Sequence, residues 1–122
     1  MKSIKLKVPE LEQIEINGHV FGIRMTNIEI MNKGRYFADW GAGADLNDVS
    51  EMVRMQNEIV GFIDEILGEG AIAKITGGGG ISTSTACDWL TVIAEAVGEI
   101  ETRRMAEFSE KQKEKKTAKA DE

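Results

Sequence analysis

Cysteine and histidine occur once each, as Cys87 and His19. One cysteine forms no internal disulfide, and with one histidine it makes neither a structural zinc set nor a Cys–His nucleophile pair. The expectation is a protein of a reducing cytoplasm that holds no metal and no other cofactor. Long apolar runs are missing as well. Nothing approaches the roughly 18 residues of a membrane span. Met1-Lys2-Ser3-Ile4-Lys5-Leu6-Lys7 alternates charge with apolar residues, so no signal peptide is expected there. No internal repeat is evident. What remains is a chain of 122 residues, 42% hydrophobic and 30% charged, which suits a single globular domain.

Cationic excess is also absent, and the charge is unevenly placed. Residues 1–8 hold Lys2, Lys5 and Lys7 without an acid, whereas residues 9–108 hold seven Lys or Arg against seventeen acids. Residues 109–122 carry five lysines and four acids. A body with net charge −10 repels phosphate backbones, so nucleic acid is not an expected partner. The division expected is a basic arm over 1–10, one domain over 11–108 and a charged tail over 109–122.

Local patterns give the elements. Leu11-Glu12-Gln13-Ile14-Glu15-Ile16 places Ile14 and Ile16 on one face, and His19 to Met25 reads as a returning strand. Asn17-Gly18 between them fits a type I′ hairpin turn. Thr26 and Glu29 form a capping-box pair before a helix expected over about Asn27–Trp40. Its spacing is Ile28, Met31, Arg35 and Phe37 or Ala38. Asp45 or Asp48 caps a second helix, whose stripe is Val49, Met52, Val53, Gln56, Val60, Ile63 and Leu67, widened by Ile59, Phe62 and Ile66. Gly68 ends it. Ala71–Ile75 reads as a short helical turn, and residues 76–85 as a flexible break with four consecutive glycines. A last helix starts among Ser82, Thr83 and Ser84 and carries Leu90, Ile93, Ala94, Val97, Ile100 and Phe108 on its apolar face. Beyond Phe108 the tail either extends this helix or frays. The fold class is mainly α (α+β): an N-terminal β-hairpin, a small helical bundle and a charged C-terminal tail. The expected core is Val53, Val60, Ile63, Leu67, Leu90, Ile93 and Val97.

Catalytic patterns fail on inspection. Thr76-Gly77-Gly78-Gly79-Gly80-Ile81-Ser82-Thr83 precedes a helix, as phosphate loops do. Ile81 stands where a Walker lysine is required, and the dinucleotide fingerprint lacks its third glycine. Asp64-Glu65 and Glu95, Glu99 and Glu101 read as wet helix faces rather than acid–base pairs. Cys87 near a helix start reads as a small core residue, and Trp40 and Trp89 as core or interface aromatics. No catalytic, cofactor-binding or metal-ligating residue is assigned, and an enzyme is not expected.

The order of parts carries a resemblance. Ile16-Asn17-Gly18-His19-Val20-Phe21 precedes a helix, then a longer helix ends in Phe62-Ile63-Asp64-Glu65-Ile66-Leu67-Gly68-Glu69-Gly70-Ala71, and an amphipathic helix with a charged tail follows. Over about residues 11–108 this resembles the small tail assembly chaperones of long-tailed bacteriophages and prophages. The resemblance implies a protein of the host cytoplasm that coats the tape measure protein, keeping it soluble while tail tube protein polymerises around it. It also implies action in multiple copies, hence self-association, and in many members a second, frameshifted form. Other classes that fit are a structural head–tail connector or tail completion protein, and a non-viral cytosolic helical adaptor. The client-binding residues expected are the apolar positions at stripe edges: Ile59, Phe62, Ile66, Ile100 and Phe108.

Overall fold

A computed structural model describes the chain through Asp121 and its side chains through Lys116. The fold is mainly helical, with 66% of residues in helices and a two-stranded antiparallel hairpin at the N-terminal end. The hairpin pairs β1 (Gln13–Ile16) with β2 (His19–Gly22), Ile14 opposite Phe21 and Ile16 opposite His19. Asn17 and Gly18 at the turn have φ of 50° and 83°. Two consecutive positive φ values are what a type I′ turn demands, and Asn-Gly reaches them at low cost. Ile14, Ile16 and Phe21 face the helices, while Glu15 and Val20 face outward. The Ile23 amide donates to the Glu12 carbonyl at 2.7 Å, continuing the pairing past the strands.

Helix α1 (Asn27–Gly43) starts at the expected capping box: Thr26 Oγ1 accepts from the Glu29 amide, and Glu29 Oε2 accepts from the Thr26 amide. It runs past Trp40 through Gly41 and Gly43. Its buried residues are Ile30 and Phe37, with Gly34 half-buried between them. Ile28 and Met31, which head the spacing read from the sequence, are exposed. The inward line is therefore 30, 34 and 37, a helical spacing one step away from the one expected.

Asp48 caps α2 (Val49–Leu67), its carboxylate accepting from the Glu51 amide. The buried face is Met55, Ile59, Phe62, Ile63, Ile66 and Leu67. Val60 is half-buried, and Val53, expected in the core, is 50% exposed. At 3.6 residues per turn Val53 lies about 120° around the helix from Ile59, outside the arc that the neighbouring helices cover. Phe62 meets Phe37 of α1 edge-on at 5.8 Å between ring centres.

After Gly68, α3 (Ala71–Thr76) is a short helix whose start is satisfied by Asp64. That carboxylate accepts from the amides of Ile72 at 3.0 Å and Gly70 at 3.4 Å. The glycine segment is a hydrogen-bonded turn rather than the loose break expected. Gly77 and Gly78 take φ of 73° and 99°, and the Gly78 amide returns to the Ala73 carbonyl at 2.8 Å. Gln56 of α2 donates to the Ile81 carbonyl and ties down the far end.

Ser82 starts α4 (Thr83–Asp121), its hydroxyl accepting from the Thr85 amide. Ala86, Leu90, Ile93 and Val97 are buried against α1 and α2. The helix has 39 residues, and at 1.5 Å each it is about 58 Å long. It therefore continues through the charged tail as far as Asp121; Glu122 and the side chains after Lys116 lie outside the described residues. The hairpin closes one end of the bundle, the Arg24 amide donating to the Ile66 carbonyl at 2.8 Å. No helix among the described residues is long and apolar enough to cross a membrane.

Candidate protein-interaction surface

The five expected client-binding residues do not form one surface. Ile59, Phe62 and Ile66 are 1%, 4% and 0% exposed and belong to the core. This corrects their assignment: an edge that looks spare on one helix is covered here by α1, α3, α4 and the hairpin packed around it. Ile100 is half-buried beside a depression that Pro9–Glu12 and Met25–Ile28 share with α4. Phe108 is 55% exposed, three residues beyond the equally exposed Met105, on the stretch of α4 past the bundle.

The larger opening lies between α1 and α4. Met31, Gly34 and Phe37 on one wall and Cys87, Leu90 and Ala94 on the other enclose about 450 Å³. The recess continues along both helices past Met31 and Glu95 to Gly98, Thr102 and Ala106. Its floor is apolar and of low relief, because α1 contributes Gly34 where a larger residue would fill the gap. A Cβ at Gly34 would meet nothing within 4 Å. On α4, Cys87, Thr91, Ala94 and Gly98 recur at steps of four, three and four, which puts small residues on one face. That spacing of small residues is the sequence signal for this face, and it runs beside the stripe of larger apolar residues, Leu90, Ile93 and Val97, that packs the core.

Charge borders the groove on one side. Glu95 and Glu99 lie one turn apart on the α4 wall, both exposed, and neither has an ion-pair partner among the described residues. Arg103 is the basic residue at that end, and its guanidinium lies 3.7 Å from the Glu12 carboxylate, which Arg104 also contacts at 3.1 Å. Those contacts hold the root of the N-terminal arm against α4. Cys87 is exposed at the other end of the groove, not a core residue as expected. Partial burial first, and the neighbouring Asp88 carboxylate second, push its thiol pKa above the ordinary value.

Other singled-out residues have structural partners. Asp64 serves the α3 amides, and Trp40 donates from Nε1 to Glu51 at 2.9 Å beneath the Arg54 guanidinium, fastening α1 to α2. His19 is exposed beside Phe21 on the hairpin. Trp89 is half-buried and lines a shallow apolar depression with Ile16, Ile75 and Val92.

Compared with known proteins, the chain matches no family model, no curated protein and no solved structure.

Proposed function

We propose that this chain is a tail assembly chaperone of a long-tailed phage, a non-enzymatic binding protein acting in the host cytoplasm. Its client is the tape measure protein, held soluble while the tail tube protein polymerises. The client's identity rests on the sequence resemblance, and the mode of binding on the groove between α1 and α4. That groove is the observation that carries the reading. It is open, apolar along its floor and walled by two helices, the shape into which an amphipathic helix lays its apolar stripe. Met105 and Phe108 extend apolar surface along α4 beyond it. The acidic body keeps loaded complexes mutually repelled and so limits their aggregation.

Co-expression tests the proposal. With this chain present, the tape measure protein encoded beside it moves from the pellet to the soluble fraction. Met31→Asp and Ala94→Asp, which put charge on the groove walls, abolish the rescue while the variants remain folded by circular dichroism. Equal insolubility with and without the chain, together with stoichiometric recovery of the chain in mature particles, overturns the proposal in favour of a connector or tail completion protein. Neither rescue nor presence in particles leaves the helical adaptor.

A further inference from the structure

The arm over residues 2–8 alternates strictly from Ile4 onward: Ile4, Leu6 and Val8 take one side of an extended strand, Lys5 and Lys7 the other. It forms no secondary structure, and the three apolar residues are 71%, 83% and 86% exposed. A run of apolar residues on a strand with every side chain in water is costly surface, and its lysines stand with no acid among residues 1–8, on a chain whose body over 9–108 is acidic. The α1–α4 groove is its complement in three respects. Its floor is apolar, its wall carries Glu95 and Glu99 without ion-pair partners among the described residues, and its length fits. From Cys87 to Ala106 α4 rises about 28 Å, while seven extended residues span about 23 Å.

We propose that the N-terminal arm of one copy docks in the α1–α4 groove of a second copy, Ile4, Leu6 and Val8 against the floor and Lys5 and Lys7 toward Glu95 and Glu99. Exchange of two arms makes a closed two-fold dimer, since each copy supplies one arm and one groove. The chain's own arm is exposed, and its root, Pro9–Glu12, lies on another side of α4, beside Val97, Ile100 and Arg104, with Arg103 reaching Glu12 from the end of the groove. The pairing does not depend on who the client is. It uses the same groove as the client proposed above, so arm and client compete.

Sedimentation of the full chain tests the pairing. The wild-type chain is dimeric, and raising salt from about 0.05 M to about 0.5 M weakens association about tenfold or more. Lys5→Glu with Lys7→Glu gives monomers, as does Glu95→Lys with Glu99→Lys. Mixing the two charge-reversed variants restores a dimer, because each arm again meets a groove of opposite charge. All four positions are exposed, so the variants keep the fold. A second measurement separates docking between copies from docking within one. Ile4→Cys or Val8→Cys, tried separately under a mild oxidant, gives a disulfide to Cys87 that runs at twice the chain mass on a non-reducing gel, and Cys87→Ser removes it. A wild-type monomer, a dimer indifferent to both charge reversals, failure of the mixture to reassociate, or a crosslink confined to single chains each overturns the proposal. Salt-sensitive binding of the monomeric chain to anionic lipid vesicles, lost with the arm lysines, also overturns it and assigns the arm to a membrane surface. A wild-type monomer leaves tape measure rescue standing, and a wild-type dimer that does not rescue the client leaves the pairing standing, so the two proposals fail separately.

Discussion

Replacing Ile63 by alanine probes the packing of α2 most directly. Ile63 is fully buried, in the arc of α2 that also holds Ile59 and Ile66. Three methyl or methylene groups are lost in a place where the helix backbone on one side and the neighbouring helices on the other limit collapse. The transfer and cavity contributions together cost about 2–5 kcal/mol, which is a large share of the roughly 5–15 kcal/mol that holds a domain of this size. The paired control is Val53→Ala, ten residues earlier on the same helix and 50% exposed, which costs under about 1 kcal/mol because little area leaves a packed environment. Urea unfolding followed by circular dichroism measures both. The midpoint for Ile63→Ala falls well below that of the parent at unchanged slope, and Val53→Ala stays close to it. Equal costs at the two positions, or a cost at Ile63 within experimental error, refute the placement of α2 against the bundle.

Three further outcomes follow from the same structure. Phe62→Asp places a charge between α1 and α2 against Phe37 and unfolds the chain, whereas Phe108→Asp keeps the parent melting temperature and alters binding alone; thermal melts and client rescue separate the two. Gly78→Ala forces an L-residue to φ of 99° and destabilises by about 1–3 kcal/mol, while Gly80→Ala, with open space around it, is neutral or stabilising by up to about 1 kcal/mol; denaturant midpoints check both. Alkylation of Cys87 has its pH midpoint above that of a free thiol, because burial and Asp88 raise the pKa and leave less thiolate near neutrality; the rate with iodoacetamide against pH reads it, and Asp88→Asn moves the midpoint down.

Features set by a few adjacent residues were legible in the sequence. Asn17-Gly18 specifies a turn through its own φ values, the Thr26–Glu29 pair closes on itself, and Gly68 and Ser82 end and begin helices without needing a distant partner. The choice of helix face was less legible. Around α2 apolar residues occupy more than half the circumference, so periodicity identifies a helix but leaves its rotation open. Rotation is decided by what packs on it. Met55, Ile59, Phe62 and Ile66 form the line buried by α1 and α4, and Val49 and Val53 fall outside it at the end of the helix where fewer elements reach. The glycine segment misled for a related reason. Four glycines suggest freedom, but the two with positive φ are spent closing α3, and Gln56, twenty-five residues away, holds the other end.

The interaction surface was the least legible part because it belongs to no single element. Its walls come from Met31 and Gly34 on α1 and from Cys87 and Ala94 on α4, more than fifty residues apart. Large apolar residues at a stripe edge, such as Ile59 and Ile66, are the ones a neighbouring helix covers first, since covering them removes the most area from water. A lasting opening needs the opposite: two helices near enough to share walls, with residues too small to fill the space between them. Gly34 and Ala38 on α1, facing Cys87, Thr91 and Ala94 on α4, meet that condition, and Met31 borders the space without closing it. The polar border follows from the same geometry, because Glu95 and Glu99 stand one turn apart where α4 turns from the floor toward water. An apolar floor with acid on its rim selects a segment that is apolar on one side and basic on the other. Residues 4–8 of this chain have that pattern, and any client that enters the groove must compete with it.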